Sequence, residues 1–163
     1  MGSTLDDVKN AAAAEMNIVC SAASIKAAEY LKEKFGTPYE IEYPQSCLPE
    51  EIVQKAYNFT DKNVLVIHNQ TAADAVRKLI TEKSGKCHCT SATFFMQKKE
   101  LSQQSDFFLA DESDLCDNVG DNYDVVIADK TLRRVMKNFS GEFIDFPHFG
   151  LSGRLLQGES EKI

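Results

Sequence analysis

Three features of the sequence predict an α/β fold of the Rossmann-like kind, a three-layer αβα sandwich around a mostly parallel sheet. β-branched apolar runs occupy residues 63–68 and 123–128, amphipathic helical segments follow the apolar runs, and the two types of segment alternate along the chain. Such alternation is the signature of βαβ units, whose crossovers place helices on both faces of the sheet.

The elements follow in order. Residues 17–20 form a short apolar run that feeds a helix over 22–35, with Ile25, Ala28, Tyr30, Leu31 and Phe35 at helical spacing. Ser21 or Ser24 caps its start, and Gly36 followed by Pro38 stops it. Residues 39–43 alternate as a short strand, and Pro49 opens a second helix over 49–57. The clearest strand, 63–68, leads into a helix over 71–83 that carries Ala72, Ala75, Val76, Leu79 and Ile80 on one face and ends at Gly85. Residues 87–96 read as a strand. Residues 98–117 read as polar, acidic, mixed structure with Phe107, Phe108 and Leu109 as its apolar patch. A strand over 123–128, a helix over 131–138 and a last strand over 142–146 complete the pattern.

A chain of 163 residues suits one domain with one sizeable core. Residues 1–13, which begin with the expression-derived look of Met1-Gly2-Ser3, are expected to be a flexible N-terminal segment; 14–156 the α/β domain; and 157–163 a disordered tail. Hydrophobic residues at 43% and charged residues at 26% are ordinary globular values. A net charge of −7, without a Lys/Arg cluster, argues against nucleic acid and anionic membranes as partners. No apolar run approaches the roughly 20 residues that span a bilayer, and no signal peptide is evident, so a cytoplasmic location is expected. Five unevenly spaced cysteines point to reduced thiols and not to a disulfide framework.

In folds of this class ligands bind beyond the carboxyl ends of the strands, which directs attention to the segments after Cys20, His68, Phe95, Ala128 and Phe146. The glycine patterns of dinucleotide and nucleoside-triphosphate sites are missing, as is a nucleophile elbow. Cys87-His88-Cys89 has metal-ligand residue types, but on a strand the two cysteines share one face and His88 takes the other. His68, Asn69 and Gln70 form a polar rim, with helix capping by Asn69 or Thr71 as the competing reading. His148 follows Pro147 at a strand exit, with Ser152-Gly153-Arg154 behind it, and is read either as a structural or as a functional histidine.

Asn17-Ile18-Val19, then Ala27-Ala28-Glu29-Tyr30-Leu31 and Glu33-Lys34-Phe35-Gly36 with Pro38-Tyr39, resembles the segment opening the last lobe of nitrogenase component 1-type oxidoreductases. Ala92-Thr93-Phe94-Phe95, Tyr123 to Asp129, and Phe146-Pro147-His148-Phe149-Gly150-Leu151-Ser152-Gly153-Arg154 continue the likeness in the same order. The resemblance implies a C-terminal lobe of a longer protein. That protein would hold an iron–sulfur or related metallocluster, or a reducible substrate, between lobes; it would pair with a homologous component 1-type subunit and receive electrons from an ATP-driven iron protein. No cofactor is expected in the lobe alone, which would be inactive by itself.

In the molybdenum-iron members of that family, a cysteine just after the strand matching 17–19 and a histidine in the segment matching 147–149 hold the cofactor. The resemblance therefore implies Cys20 and His148 as metal ligands, with Ser21 opposite the family's cysteine in strict register, and Asn69, Gln70 and Asp129 as groups that orient them. The alternative is a scaffold or partner-binding lobe that keeps the fold without cluster chemistry, with the acidic segment around Phe107 and Phe108 as a docking surface.

Overall fold

The computed structural model describes residues 4–119 and 122–153. The strands are β1 (Asn17–Val19), β2 (Tyr39–Ile41), β3 (Asn63–Ile67), β4 (His88–Thr93), β5 (Phe107–Phe108), β6 (Val125–Ala128) and β7 (Glu142–Asp145). The helices are α1 (Leu5–Asn10), α2 (Ile25–Phe35), α3 (Glu50–Lys55), α4 (Gln70–Ser84), α5 (Glu112–Val119) and α6 (Phe149–Ser152). None of the described helices is long and apolar enough to cross a membrane.

Strands β3 to β7 form one parallel sheet in the order β5-β4-β3-β6-β7. Period-two alternation sends Val64 and Val66 of β3, Val125 and Ile127 of β6, and Ile144 of β7 to one face, where they pack on α3 and α4. Leu65, Ile67, Val126 and Ala128 face the other way, onto α5 and the turn that carries Leu132 and Met136. Both faces of the central strands are buried, which explains why they read as continuous apolar runs. This is the three-layer αβα sandwich the sequence predicts.

Helix α4 shows how directly residue type sets the local structure. Asn69 accepts from the Ala72 N–H at 2.9 Å as the N-cap, Ala72, Val76, Leu79 and Ile80 line the buried face, and Gly85 ends the helix at a positive φ of 70°. Helix α2 likewise ends on Gly36 in the left-handed region, at φ 76°.

Several boundaries differ from the sequence reading. Residues 5–10 of the expected flexible segment are helical, with a Thr4–Asp7 capping box and no buried residue. β1 and β2 make a separate two-stranded parallel sheet with its own small core of Val19, Ala22, Ile25 and Ala28. The expected helix over 131–138 is only a 3₁₀ turn, Lys130–Arg134, N-capped by the Asp129 side chain on the Thr131 N–H, with the Asp145 carboxylate taking that of Lys130. The 98–117 segment contains β5 and most of α5; Leu109 and Leu115 are buried core and Phe107 is half-buried, leaving Phe108 exposed. The tail 157–163 and Arg154 lie outside the described residues.

An ion pair under this segment fixes it to the sheet. Arg77 of α4, with its side chain 8% exposed, donates to Asp106 at 2.7 Å, whose side chain is 2% exposed. Asp106 also accepts from the Ser91 N–H at 2.9 Å and the Gln103 N–H at 2.8 Å. Removing Asp106 leaves the buried Arg77 guanidinium with the longer 3.4 Å pair to Asp74. Asp106→Ala is expected to cost about 3–5 kcal/mol in urea unfolding, and Asp106→Asn, which keeps an acceptor, clearly less.

Candidate functional site

The sheet changes direction between β3 and β6. From β3 the chain proceeds outward through β4 to β5, then returns across the sheet to β6 and β7. The carboxyl ends of β3 and β6 therefore flank the topological switch point, where open α/β sheets bind ligands. The residues that follow are His68 and Asp129, and the exit of β7 brings His148 to the same place.

Asp129 organises the edge. Its side chain has no exposed surface, yet its Oδ1 accepts from the Thr131 N–H at 2.9 Å and hydroxyl at 2.8 Å, and its Oδ2 from the His148 N–H at 2.9 Å and the Ser152 hydroxyl at 2.5 Å. Burial alone would raise the carboxyl pKa; these donors outweigh it and hold the group ionised well below the usual carboxylate range.

His68 lies flat on Phe146, ring centroids 4.0 Å apart, and meets His148 at 4.5 Å with the planes tilted by 58°. His148 in turn stacks on Phe95 at 4.3 Å and 4°. A ladder of four rings thus runs Phe146–His68–His148–Phe95 across the ends of β7, β3 and β4. Gly150 closes it: a Cβ there would come within 3.2 Å of both Phe95 and His148.

The tautomers follow from the partners. His68 Nε2 lies 3.1 Å from the Pro147 carbonyl, which can only accept, so Nε2 carries the proton and the buried Nδ1 keeps its lone pair. His148 Nδ1 accepts from the Gly150 N–H at 3.1 Å, so its neutral ring carries a proton on Nε2. Burial and the neighbouring His148 push the His68 pKa down to about 4, against the pull of the Pro147 carbonyl, Asn69 and Asp129. Burial also lowers His148, while Asp129 opposes that shift.

The remaining sequence candidates have mainly structural partners. Ser21 caps the short turn Ala22–Ser24 by accepting from the Ala23 N–H at 3.3 Å. The Cys20 carbonyl accepts from the Thr71 hydroxyl, which joins the end of β1 to the start of α4. The Cys20 thiol is exposed, and partial desolvation and the neighbouring Cys47 raise its pKa. Gln70 is spent on the segment beyond β4, donating to the Lys98 carbonyl and the Ser102 hydroxyl at 3.0 Å each and accepting from the Lys98 N–H at 2.9 Å. Cys87 and Cys89 pack together on one face of the sheet while His88 is exposed, as strand geometry requires.

This arrangement does not fit the implied metal ligation. With Nδ1 engaged by Gly150, the neutral His148 ring presents a donor and not a lone pair, and a raised thiol pKa disfavours the Cys20 thiolate. Among the described residues no group of three His, Cys, Asp or Glu side chains is placed to hold a metal ion. The edge has instead the character of a preorganised hydrogen-bonding surface beside an aromatic stack. Sequence reasoning pointed to four of its strand exits but missed the ring ladder, which joins residues up to 80 positions apart: the ladder's register depends on β3 pairing with β6 and β6 with β7.

Comparison with solved structures bears on the whole domain. A structure of nitrogenase Cp1 at pH 6.5 superposes with a TM-score of 0.59 and 15% sequence identity, covering 96% of this chain and 43% of that one. The fold is nitrogenase-like. The chain spans less than half the length of that nitrogenase chain. Scans of protein-family profiles and of curated protein sequences found no match.

The His68 shift makes stability pH-dependent. Between pH 6.5 and about 4 the unfolded chain binds a proton at His68 that the folded chain excludes, so stability falls as the pH falls through this window. Asp74 works in the opposite sense: burial, with Asp106 nearby and Arg77 opposing, pushes its carboxyl up to about 6, so the folded chain takes up that proton first. In an Asp74→Asn background, urea unfolding is expected to show stability declining by up to about 3 kcal/mol from pH 6.5 to 4. Adding His68→Phe should reduce that decline, with the lowered His148 supplying what remains; an unchanged slope would exclude His68 as a source.

Proposed function

We propose that the chain is a lobe of nitrogenase component 1-like architecture that walls an inter-lobe site and is not catalytic alone. The nitrogenase-like fold carries this reading, supported by the concentration of buried polar groups and aromatic rings at the switch-point edge. In such an assembly a homologous subunit and an ATP-driven iron protein are the proposed partners.

The Gly150–His148 hydrogen bond favours a particular form of this reading: a scaffold lobe that lines the site without ligating a cluster. Any cluster in the assembly would then depend on ligands other than Cys20 and His148. From this lobe the His148 Nε2–H would offer a donor toward the neighbouring lobe, its ring held by Phe95 on one side and His68 on the other. Asp129 and Ser152 would fix the segment that carries it.

The test is anaerobic isolation of the protein in the assembly its cell makes, with iron analysis and electron paramagnetic resonance before and after reduction. Recovery with a second nitrogenase-like lobe or subunit is expected, with iron content unchanged by Cys20→Ala or His148→Ala. Recovery without any such partner would sink the lobe reading. Loss of iron in either variant would restore that residue as a ligand.

A further inference from the structure

We propose that two copies of this chain associate through the face that carries α5, each laying its acidic α5 against the basic turn after β6 of the other. This inference is independent of the nitrogenase-like assembly, since both surfaces belong to this one chain.

The two surfaces share a layer. α5 packs on the sheet through Leu115 and Val119, and the turn beside it through Leu132 and Met136, all in one core cluster. The Cys116 thiol donates to the Val135 carbonyl at 3.6 Å and marks the seam between them. On one side of the seam stand Asp111, Glu112, Asp114 and Asp117; the other side carries Lys130, Arg133, Arg134 and Lys137. All four cations are exposed, as are Asp111, Glu112 and Asp117. The basic stretch is too short to follow a phosphate backbone, yet it matches the acidic one charge for charge.

None of these charges forms an ion pair among the described residues, whereas Lys55 reaches Glu51 at 2.8 Å and Glu142 at 2.9 Å, and Lys9 reaches Asp6 at 3.1 Å. The acidic side is held in place: Asp111 accepts from the Ser113 N–H at 2.8 Å, and Asp114 from the Ala110 N–H at 2.8 Å. On the basic side a 3₁₀ turn stands where a doubly wound fold has a full helix. Val135, Phe139 and Phe143 therefore remain only partly buried, with the Arg133 guanidinium 5.3 Å from the Phe143 ring.

A two-fold axis near the seam exchanges the two sides, so the matched contact is made twice. A second copy thus supplies the complementary charges in the required arrangement, with the partly buried apolar side chains beside them. Complementarity of this kind fixes partner and register more than it adds affinity, and the net charge of −7 disfavours unmatched approaches.

Sedimentation equilibrium of the 163-residue chain at pH 7.5 and low salt, up to about 1 mM protein, tests the proposal. A reversible dimer is expected, with Kd on the order of 100 µM, because exposed ion pairs are individually weak. Raising the salt to about 0.5 M should weaken it about tenfold. Arg133→Glu with Arg134→Glu should also weaken self-association about tenfold or more, as should Glu112→Lys with Asp117→Lys, although the latter pair lowers the overall repulsion. Mixing the two reversed variants should restore a dimer at about the parent affinity, since each presents the charge the other lacks. Misfolded chains would not recover in this way. A monomer at about 1 mM would overturn the proposal and leave the basic turn to an acidic segment of another protein. Reversed variants that dimerise as the parent does, or a mixture that stays monomeric, would overturn it equally.

Discussion

A fully buried carboxylate is tolerable only when its lone pairs are filled, and the architecture of the candidate edge follows from meeting that requirement at Asp129. Among the described residues its donors include the turn just after β6 and the segment after β7 that carries His148 and Ser152. One side chain therefore ties adjacent strand exits together and dictates where His148 can sit. With the His148 backbone fixed, its ring caps α6 through Gly150 and stacks between Phe95 and His68. The same carboxylate also caps the turn after β6, with Asp145 taking the Lys130 N–H beside it.

The central sheet was legible in the sequence because its strands are buried on both faces and leave uninterrupted β-branched runs at Val64–Ile67 and Val125–Ala128, each followed by a helix-start signal or a turn. Helix α4 was legible for the same reason, with apolar period, cap and terminal glycine all agreeing. The 102–109 region was opaque because its order comes from tertiary contacts: Asp106 reaching back to Arg77 and Ser91, and Gln70 holding Lys98 and Ser102, partners 15 to 32 residues away.

The candidate site was half legible. Strand exits could be listed from the alternating pattern, and they do converge at one edge. Which nitrogen of each histidine is free could not be read, because it depends on Pro147 and Gly150 backbone groups whose positions are set by the fold. The resemblance to nitrogenase component 1-type proteins anticipated the architecture. Fold is determined by many residues jointly, whereas ligation hangs on one hydrogen bond at one ring.

The sheet order also bears on how the chain reaches its native state. β3 pairs with β4, 25 residues on, and with β6, 61 residues on, so its two neighbours differ greatly in the entropy needed to bring them together. The β3–α4–β4 unit closes the shorter loop, so on loop-closure entropy it is expected to form before β6 and β7 dock and Asp129 meets His148 and Ser152. The ring ladder is accordingly expected to assemble late, and a chain stalled before that step would leave the apolar flank of β3 open to association with other chains.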